Sequence, residues 1–298
     1  YVPQSGGRVD RAGRRQSAAN SLRFAADAAR VAADLRRAVA TRRDRRGRLW
    51  VSTAAGLARL DGDGFTVFRH DPKDSTSLPN PNCSALLEDR NGAMWVGTLG
   101  GGVGMLCDGC TQFVNYRALP DMEGRPGLGG SSVETLFEDS RGAIWIGLRS
   151  AGLARLDPAT NRIEHFRARP GVEGHIGNDS VSWVSEDRQG RLWVGHGAGV
   201  SWAWLNEPGP LQFHNYSMNA VGGIVQDARG RHWISTTVGI SRLDADTGEI
   251  VHFGARDGLD LFDAALRGSH ASNTGAFVRE QELGAGPALV FLVNPVLD

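Results

Sequence analysis

Three acidic pairs, Glu88-Asp89, Glu138-Asp139 and Glu186-Asp187, are the residues of this sequence most ready for chemistry. Adjacent carboxylates can share a proton for acid–base work or hold a divalent cation. Eight histidines, His70, His165, His175, His196, His214, His232, His252 and His270, supply side chains that titrate near neutrality. Cys107-Asp108-Gly109-Cys110 adds a CxxC, a spacing used for metal binding and thiol exchange.

Spacing decides among these chemistries. Each acidic pair falls at the same place in a recurring unit, in which an Asp is followed three residues later by Gly and six later by Trp. The copies are Asp44-Gly47-Trp50, Asp89-Gly92-Trp95, Asp139-Gly142-Trp145, Asp187-Gly190-Trp193 and Asp227-Gly230-Trp233. A repeat of roughly 40–50 residues built on Gly, Trp and short apolar runs predicts a β-propeller, one blade per repeat. In such a unit the Asp caps a turn, the Gly supplies positive φ and the Trp fills the space between blades. Glu88, Glu138 and Glu186 recur with the same period and read as scaffold. The CxxC stands without a second pair or a nearby pair of histidines, so structural zinc is not expected. Its Asp-Gly centre suits a two-residue hairpin, which fits either a local disulfide or two free thiols. No catalytic residue, metal or cofactor is assigned.

The third repeat shows the elements most plainly. Residues 133–138 form a short strand suited to the innermost position, 139–142 a turn, and 143–147 a second strand carrying the Trp. Residues 152–157 form a third strand, 158–161 a turn and 162–166 an outer strand ending in an aromatic. The same order recurs five times, predicting an all-β fold of four-stranded antiparallel blades. A closed ring needs about four to eight blades, so five predict an arc, or a ring completed by a degenerate sixth.

The flanks differ. Residues 1–37 are an Arg- and Ala-rich segment, and a helix is predicted over 17–41 with Phe24, Val31, Leu35 and Val39 on one stripe. Residues 38–262 hold the propeller repeats, and 263–298 a degenerate or non-native end with one convincing strand at 288–293. The formal net charge is zero, but residues 1–48 hold 13 Arg against four acids. That arm lacks interleaved aromatics and the acidic body repels polyanions, so no nucleic acid is expected as partner. No apolar run reaches the roughly 18 residues of a membrane-spanning helix. The chain, which begins at Tyr1, reads as a piece of something longer or a processed form.

The wording of the repeats carries a resemblance. EDRNGAMWVGTLGGGVGML, EDSRGAIWIGLRSAGLARLD and EDRQGRLWVGHGAGVSW, with linkers such as FRHDPKDSTSLPNPN, resemble the two-component regulator propeller repeat. The match covers about residues 38–260. It departs where Leu148 and His196 replace the Thr that follows other Trp motifs. The resemblance implies a periplasmic, ligand-sensing ectodomain of an inner-membrane receptor. Such a domain is joined to a downstream membrane-anchored histidine kinase or diguanylate cyclase, with a homodimer left open.

Within that reading the ligand, a small molecule or carbohydrate, meets the loops that lead into the inner strands. These loops carry Asn80, Asn82, Ser131, Ser132, Asn178, Ser180 and Asn219, amides and hydroxyls suited to a neutral polar ligand and equally to turns. Two rivals stand beside it. One is a propeller enzyme of the streptogramin lyase type, for which only His175 and His196 fall where they could reach a loop face. The other is a protein-interaction scaffold.

Overall fold

The computed structural model describes residues 40–53, 56–61, 64–118, 127–254, 257, 277–283 and 286–292. Blade 1 is β1 (Ala40–Arg43), β2 (Leu49–Thr53), β3 (Gly56–Asp61) and β4 (Gly64–Phe68). Blade 2 is β5 (Cys83–Glu88), β6 (Met94–Thr98), β7 (Gly102–Leu106) and β8 (Val114–Tyr116). Blade 3 is β9 (Val133–Glu138), β10 (Ile144–Leu148), β11 (Leu153–Asp157) and β12 (Arg162–Phe166). Blade 4 is β13 (Val181–Glu186), β14 (Arg191–His196), β15 (Gly199–Trp204) and β16 (His214–Ser217). Blade 5 is β17 (Val221–Gln226), β18 (His232–Thr236), β19 (Gly239–Leu243) and β20 (Ile250–Phe253). Each blade is one antiparallel sheet in chain order, and the first strands of successive blades stand side by side in one row. The propeller architecture expected from the repeats is the one observed.

Both flanks differ from expectation where they are described. Ala40 and Thr41, placed at the end of a helix by their periodicity, pair with Ser52 and Val51 as part of β1. The rest of the predicted helix lies outside the described residues. At the other end, the strand expected over 288–293 is β22 (Gly286–Leu292), and it has a partner, β21 (Phe277–Leu283), in a separate hairpin. The polar Arg279-Glu-Gln-Glu282 run gives β21 no apolar alternation by which to read it as a strand.

The turn motif does more than turn the chain. In every repeat one carboxylate oxygen of the Asp accepts two backbone amides, and the other accepts the indole N–H of the Trp. For Asp89 these are Asn91 and Ala93 at 2.9 Å each, and Trp95 Nε1 at 2.8 Å. The Gly92 φ of 84° lets the loop close tightly enough for all three. In blades 1, 4 and 5 an Arg adds a fourth donor: Arg48, Arg191 and Arg231 Nε lie 2.6, 2.6 and 2.8 Å from the same oxygen that holds the indole.

The Trp rings are then fixed at the blade junctions. Trp95, Trp145 and Trp193 are fully buried, and the apolar clusters each span one junction between neighbouring blades. Burying such a ring stabilises the fold by on the order of 4 kcal/mol.

The acidic partner of each pair is a second junction device. The last residue of an inner strand reaches back to the turn of the preceding blade. Glu88 accepts Arg45 N at 3.0 Å, Glu138 accepts Arg90 N at 2.8 Å, Glu186 accepts Ser140 N at 2.6 Å and Gln226 accepts Arg188 N at 3.1 Å. Glu138 and Glu186 also take the side chains of Arg90 and Ser140, at 2.5 and 2.7 Å. In blade 1 this position is Arg43, whose guanidinium bonds Gly47 O at 3.0 Å instead.

Candidate functional site

The inner strands of blades 2, 3, 4 and 5 each open with a β-bulge, at Ser84, Glu134, Ser182 and Gly222. A bulge re-aims its extra side chain, and two of these point across the junction. Ser84 Oγ donates to Val133 O at 2.7 Å and Ser182 Oγ donates to Val221 O at 2.6 Å. The lead-in loops just before the bulges are therefore tied to one another at one face.

The hairpins between second and third strands complete that face. Leu99 N donates to Asn82 O at 2.9 Å, while Gly100 N and Gly102 N donate to Ser131 O of the next blade at 3.0 and 2.8 Å. In blade 3, Arg149 N donates to Ser132 O at 3.0 Å and Gly152 N to Asp179 O at 2.9 Å. Gly197 N and Thr237 N donate to Ser180 O and Ala220 O at 3.0 and 3.1 Å. Four of the seven loop residues singled out in the sequence, Asn82, Ser131, Ser132 and Ser180, supply carbonyls to these bonds.

Their side chains are mostly unspent. Asn80 Oδ1 accepts Asn82 N at 2.9 Å and Asn178 Oδ1 accepts Ser180 N at 2.8 Å, the turn-forming role that these residue types favour. Among the described residues, the Nδ2 groups of those two, the amides of Asn82 and Asn219, and the hydroxyls of Ser131, Ser132 and Ser180 have no hydrogen-bond partner.

The face is less neutral than its Asn and Ser content suggests. Arg149 and Arg167 stand on it about half exposed, the first paired with the bulge residue Glu134 and the second 3.6 Å from Asp179. The sequence signal was present: Glu134 falls where other repeats have Ser84, Ser182 and Gly222, and Arg149 where they have Leu99, Gly197 and Thr237.

Neither candidate histidine is placed for catalysis on this face. His196 is 1% exposed and forms a closed chain of hydrogen bonds. Its Nδ1 accepts Ala198 N at 3.2 Å, so the proton sits on Nε2 and is donated to Ser201 Oγ at 2.8 Å. Ser201 Oγ donates onward to Asn215 Oδ1 at 2.5 Å and accepts Gly177 N at 3.0 Å. Burial pushes the imidazole pKa down to about 4. His175 lies in the lead-in loop of blade 4, where its carbonyl accepts Asn215 Nδ2 at 2.9 Å, and it is among the residues that line an outer cleft. His165 and His252 lie on outer strands and His214 begins one, as expected. Among the described residues no group of His, Cys, Asp and Glu is arranged to hold a metal ion.

The remaining cysteine chemistry is structural. Cys107 and Cys110 form a disulfide around the Asp108-Gly109 turn, with Cα atoms 5.2 Å apart. Cys83 is free and buried, and burial pushes its thiol up to about 12.

Residues 77–100 and 175–198 match the family described as two component regulator propeller. Each match runs from a lead-in loop through an inner strand and the Asp-Gly turn to the end of a second strand. These two segments are similar to two-component regulator propeller repeats. A 36-residue stretch of the chain is 47% identical to a curated relative, "Histidine kinase P4" of Formosa agariphila, which is 12% of this chain and 3% of that protein.

Two solved structures share the fold at low identity. The extracellular domain of a protein described as a hybrid two component system of B. thetaiotaomicron superposes with a TM-score of 0.60 at 21% identity. That match covers 71% of this chain but only 29% of the other. Streptogramin B lyase superposes with a TM-score of 0.52 at 17% identity, covering 72% and 67%. The chain therefore spans under a third of the length of the two-component ectodomain whose fold it shares.

Proposed function

We propose that this propeller is a non-enzymatic, ligand-sensing ectodomain of a signalling receptor, facing the periplasm and joined in the whole protein to a membrane-anchored output module. The observation that carries the reading is the band of lead-in loops, where seven polar side chains keep free donors on a backbone tied rigidly blade to blade. A site on a rigid scaffold with variable loops is how propellers meet ligands. Unspent amides and hydroxyls suit a carbohydrate or another polar small molecule. The Arg149 and Arg167 guanidiniums add directional donors at the same face.

Two further features support this reading over a lyase. Acid–base catalysis needs an accessible base within reach of a carboxylate or metal. Here His196 is sealed, and His175 lines a cleft whose other lining residues are not those of the loop face. The Cys107–Cys110 disulfide also suits an oxidising compartment.

Titration calorimetry with a panel of neutral oligosaccharides tests the proposal, using the unmodified chain and the Asn80→Ala/Asn178→Ala pair. Saturable binding that the pair abolishes, without a change in unfolding midpoint, is expected. Ring opening of a streptogramin by the unmodified chain, or binding indifferent to the substitutions, would overturn it.

A further inference from the structure

Blades 3 and 4 part at their outer rims to leave a cleft of about 610 Å³. The sequence opens it. The connection from β15 to β16 spans 205–213 and carries Pro208 and Pro210, whereas blade 3 makes the same connection in 158–161. Proline donates no ladder bond, so this longer stretch does not close against the sheet edge.

The lining has three distinct parts. Its floor is apolar: Phe166, Ile176, Leu205, Leu211 and Phe213. Two guanidiniums stand on the blade 3 side, and a third, that of Arg141, reaches across to the blade 4 connection. Arg155 and Arg162 share the single carboxylate of Glu164 at 3.6 and 3.1 Å, and Arg141 bonds only the neutral Asn206 Oδ1, at 2.6 Å. Arg155 is further held over the Trp145 ring, 5.7 Å from its centroid. On the blade 4 side Glu173 and Glu207 are exposed and have no ion-pair partner among the described residues.

We infer that this cleft binds a short free peptide with apolar side chains, its terminal carboxylate on the Arg155–Arg162 side and its terminal ammonium on the Glu173–Glu207 side. An excess of cations on one side and of anions on the other matches a dipolar ligand. A simple anion would be repelled by the two free glutamates, and a neutral sugar would use neither charge. Guanidinium binds carboxylate through paired, charge-assisted hydrogen bonds. The floor supplies the affinity, at about 25 cal/mol per Å² of apolar surface covered. The volume lies within the roughly 300–1,000 Å³ of small-ligand sites. The cleft shares no lining residue with the loop face, so the two sites can be tested separately.

Calorimetric titration of the whole chain with trileucine, N-acetyl-trileucine and trileucine amide tests the inference. Saturable binding of the free tripeptide is expected, with each blocked form weaker by at least about tenfold, as loss of one charge-assisted contact implies. The Glu173→Gln/Glu207→Gln pair should weaken the free tripeptide while leaving the N-acetyl form unchanged. Arg162→Gln should do the converse, leaving the amide form unchanged. Absence of saturable binding by the free tripeptide, or equal binding of all three forms, would overturn the assignment.

Discussion

The indole Nε1 of Trp145 donates to Asp139 Oδ2 at 2.8 Å, with both residues sealed from water. The other oxygen of the same carboxylate accepts Arg141 N and Ala143 N at 2.9 Å each. One side chain thus closes a turn and fixes the ring that fills the junction to blade 4. Asp139→Ala leaves three donors without a partner and should cost about 3 kcal/mol or more. Asp139→Asn keeps one carbonyl oxygen and should cost about half as much. Urea unfolding at neutral pH gives both values, and a loss under about 1 kcal/mol for the alanine would contradict the role.

Acid should weaken the protein in two separable stages. The folded His196 pKa is about 4, below the ordinary value of about 6.5, so the unfolded chain binds the extra proton first. Its contribution is fully present above about pH 6.5 and is lost as the pH falls towards 4, amounting to on the order of 3 kcal/mol. Protonation would set a new N–H at Nδ1 against the amide of Ala198 that now donates to it. His196→Thr, the residue type that Thr98 and Thr236 supply at this place, should flatten stability between those pH values.

Asp187 contributes to the second stage. Burial pushes its carboxyl up, but the His232 ring 3.4 Å away and the Trp193 and Arg191 donors outweigh it and hold the pKa well below the carboxylate range. Stability from this group is present above about pH 4 and falls away at lower pH. Unfolding midpoints followed from neutral to strongly acid pH should therefore keep their full final drop in the His196 variant and show a smaller one in Asp187→Asn, where the lowered carboxyls of Asp44 and Asp227 remain.

The backward-reaching carboxylates should act in pairs. Arg90 is 47% exposed and Glu138 13%, so screening limits their ion pair, while the bond to Arg90 N persists. Glu138→Gln should cost under about 1 kcal/mol, and Glu138→Ala about 1–2 kcal/mol. A double-mutant cycle with Arg90→Ala should show coupling that shrinks in high salt.

Reducing the Cys107–Cys110 bond opens only a short loop. Chain entropy assigns such a loop about 2 kcal/mol. Dithiothreitol should lower the unfolding midpoint by a few degrees without changing the far-ultraviolet spectrum. No shift would mean that the Asp108 contacts with Arg46 and Arg48 already hold this hairpin.

Much of the fold was legible because the repeat amplifies weak local signals. A single Asp-x-x-Gly-x-x-Trp says little, whereas five in step fix strand order and mark Glu138 as scaffold. The indole bond was not legible, since Asp and Trp each have a sufficient reason to stand where they do. Ala40 and Thr41 were misread because Ala and Arg favour a helix locally, and pairing with β2 overrode that preference. The loop band was legible in position but not in charge: pairing Glu134 with Arg149 requires the bulge register, which no linear pattern reveals.

The reach of Glu88, Glu138, Glu186 and Gln226 always runs from a later blade to an earlier one. Such an array has a head and a tail, and it suits manufacture on a ribosome, where the amino-terminal part emerges first. Each freshly made inner strand would deliver the one acceptor its predecessor still lacks. Arg43, at the same place in blade 1, turns instead to its own loop.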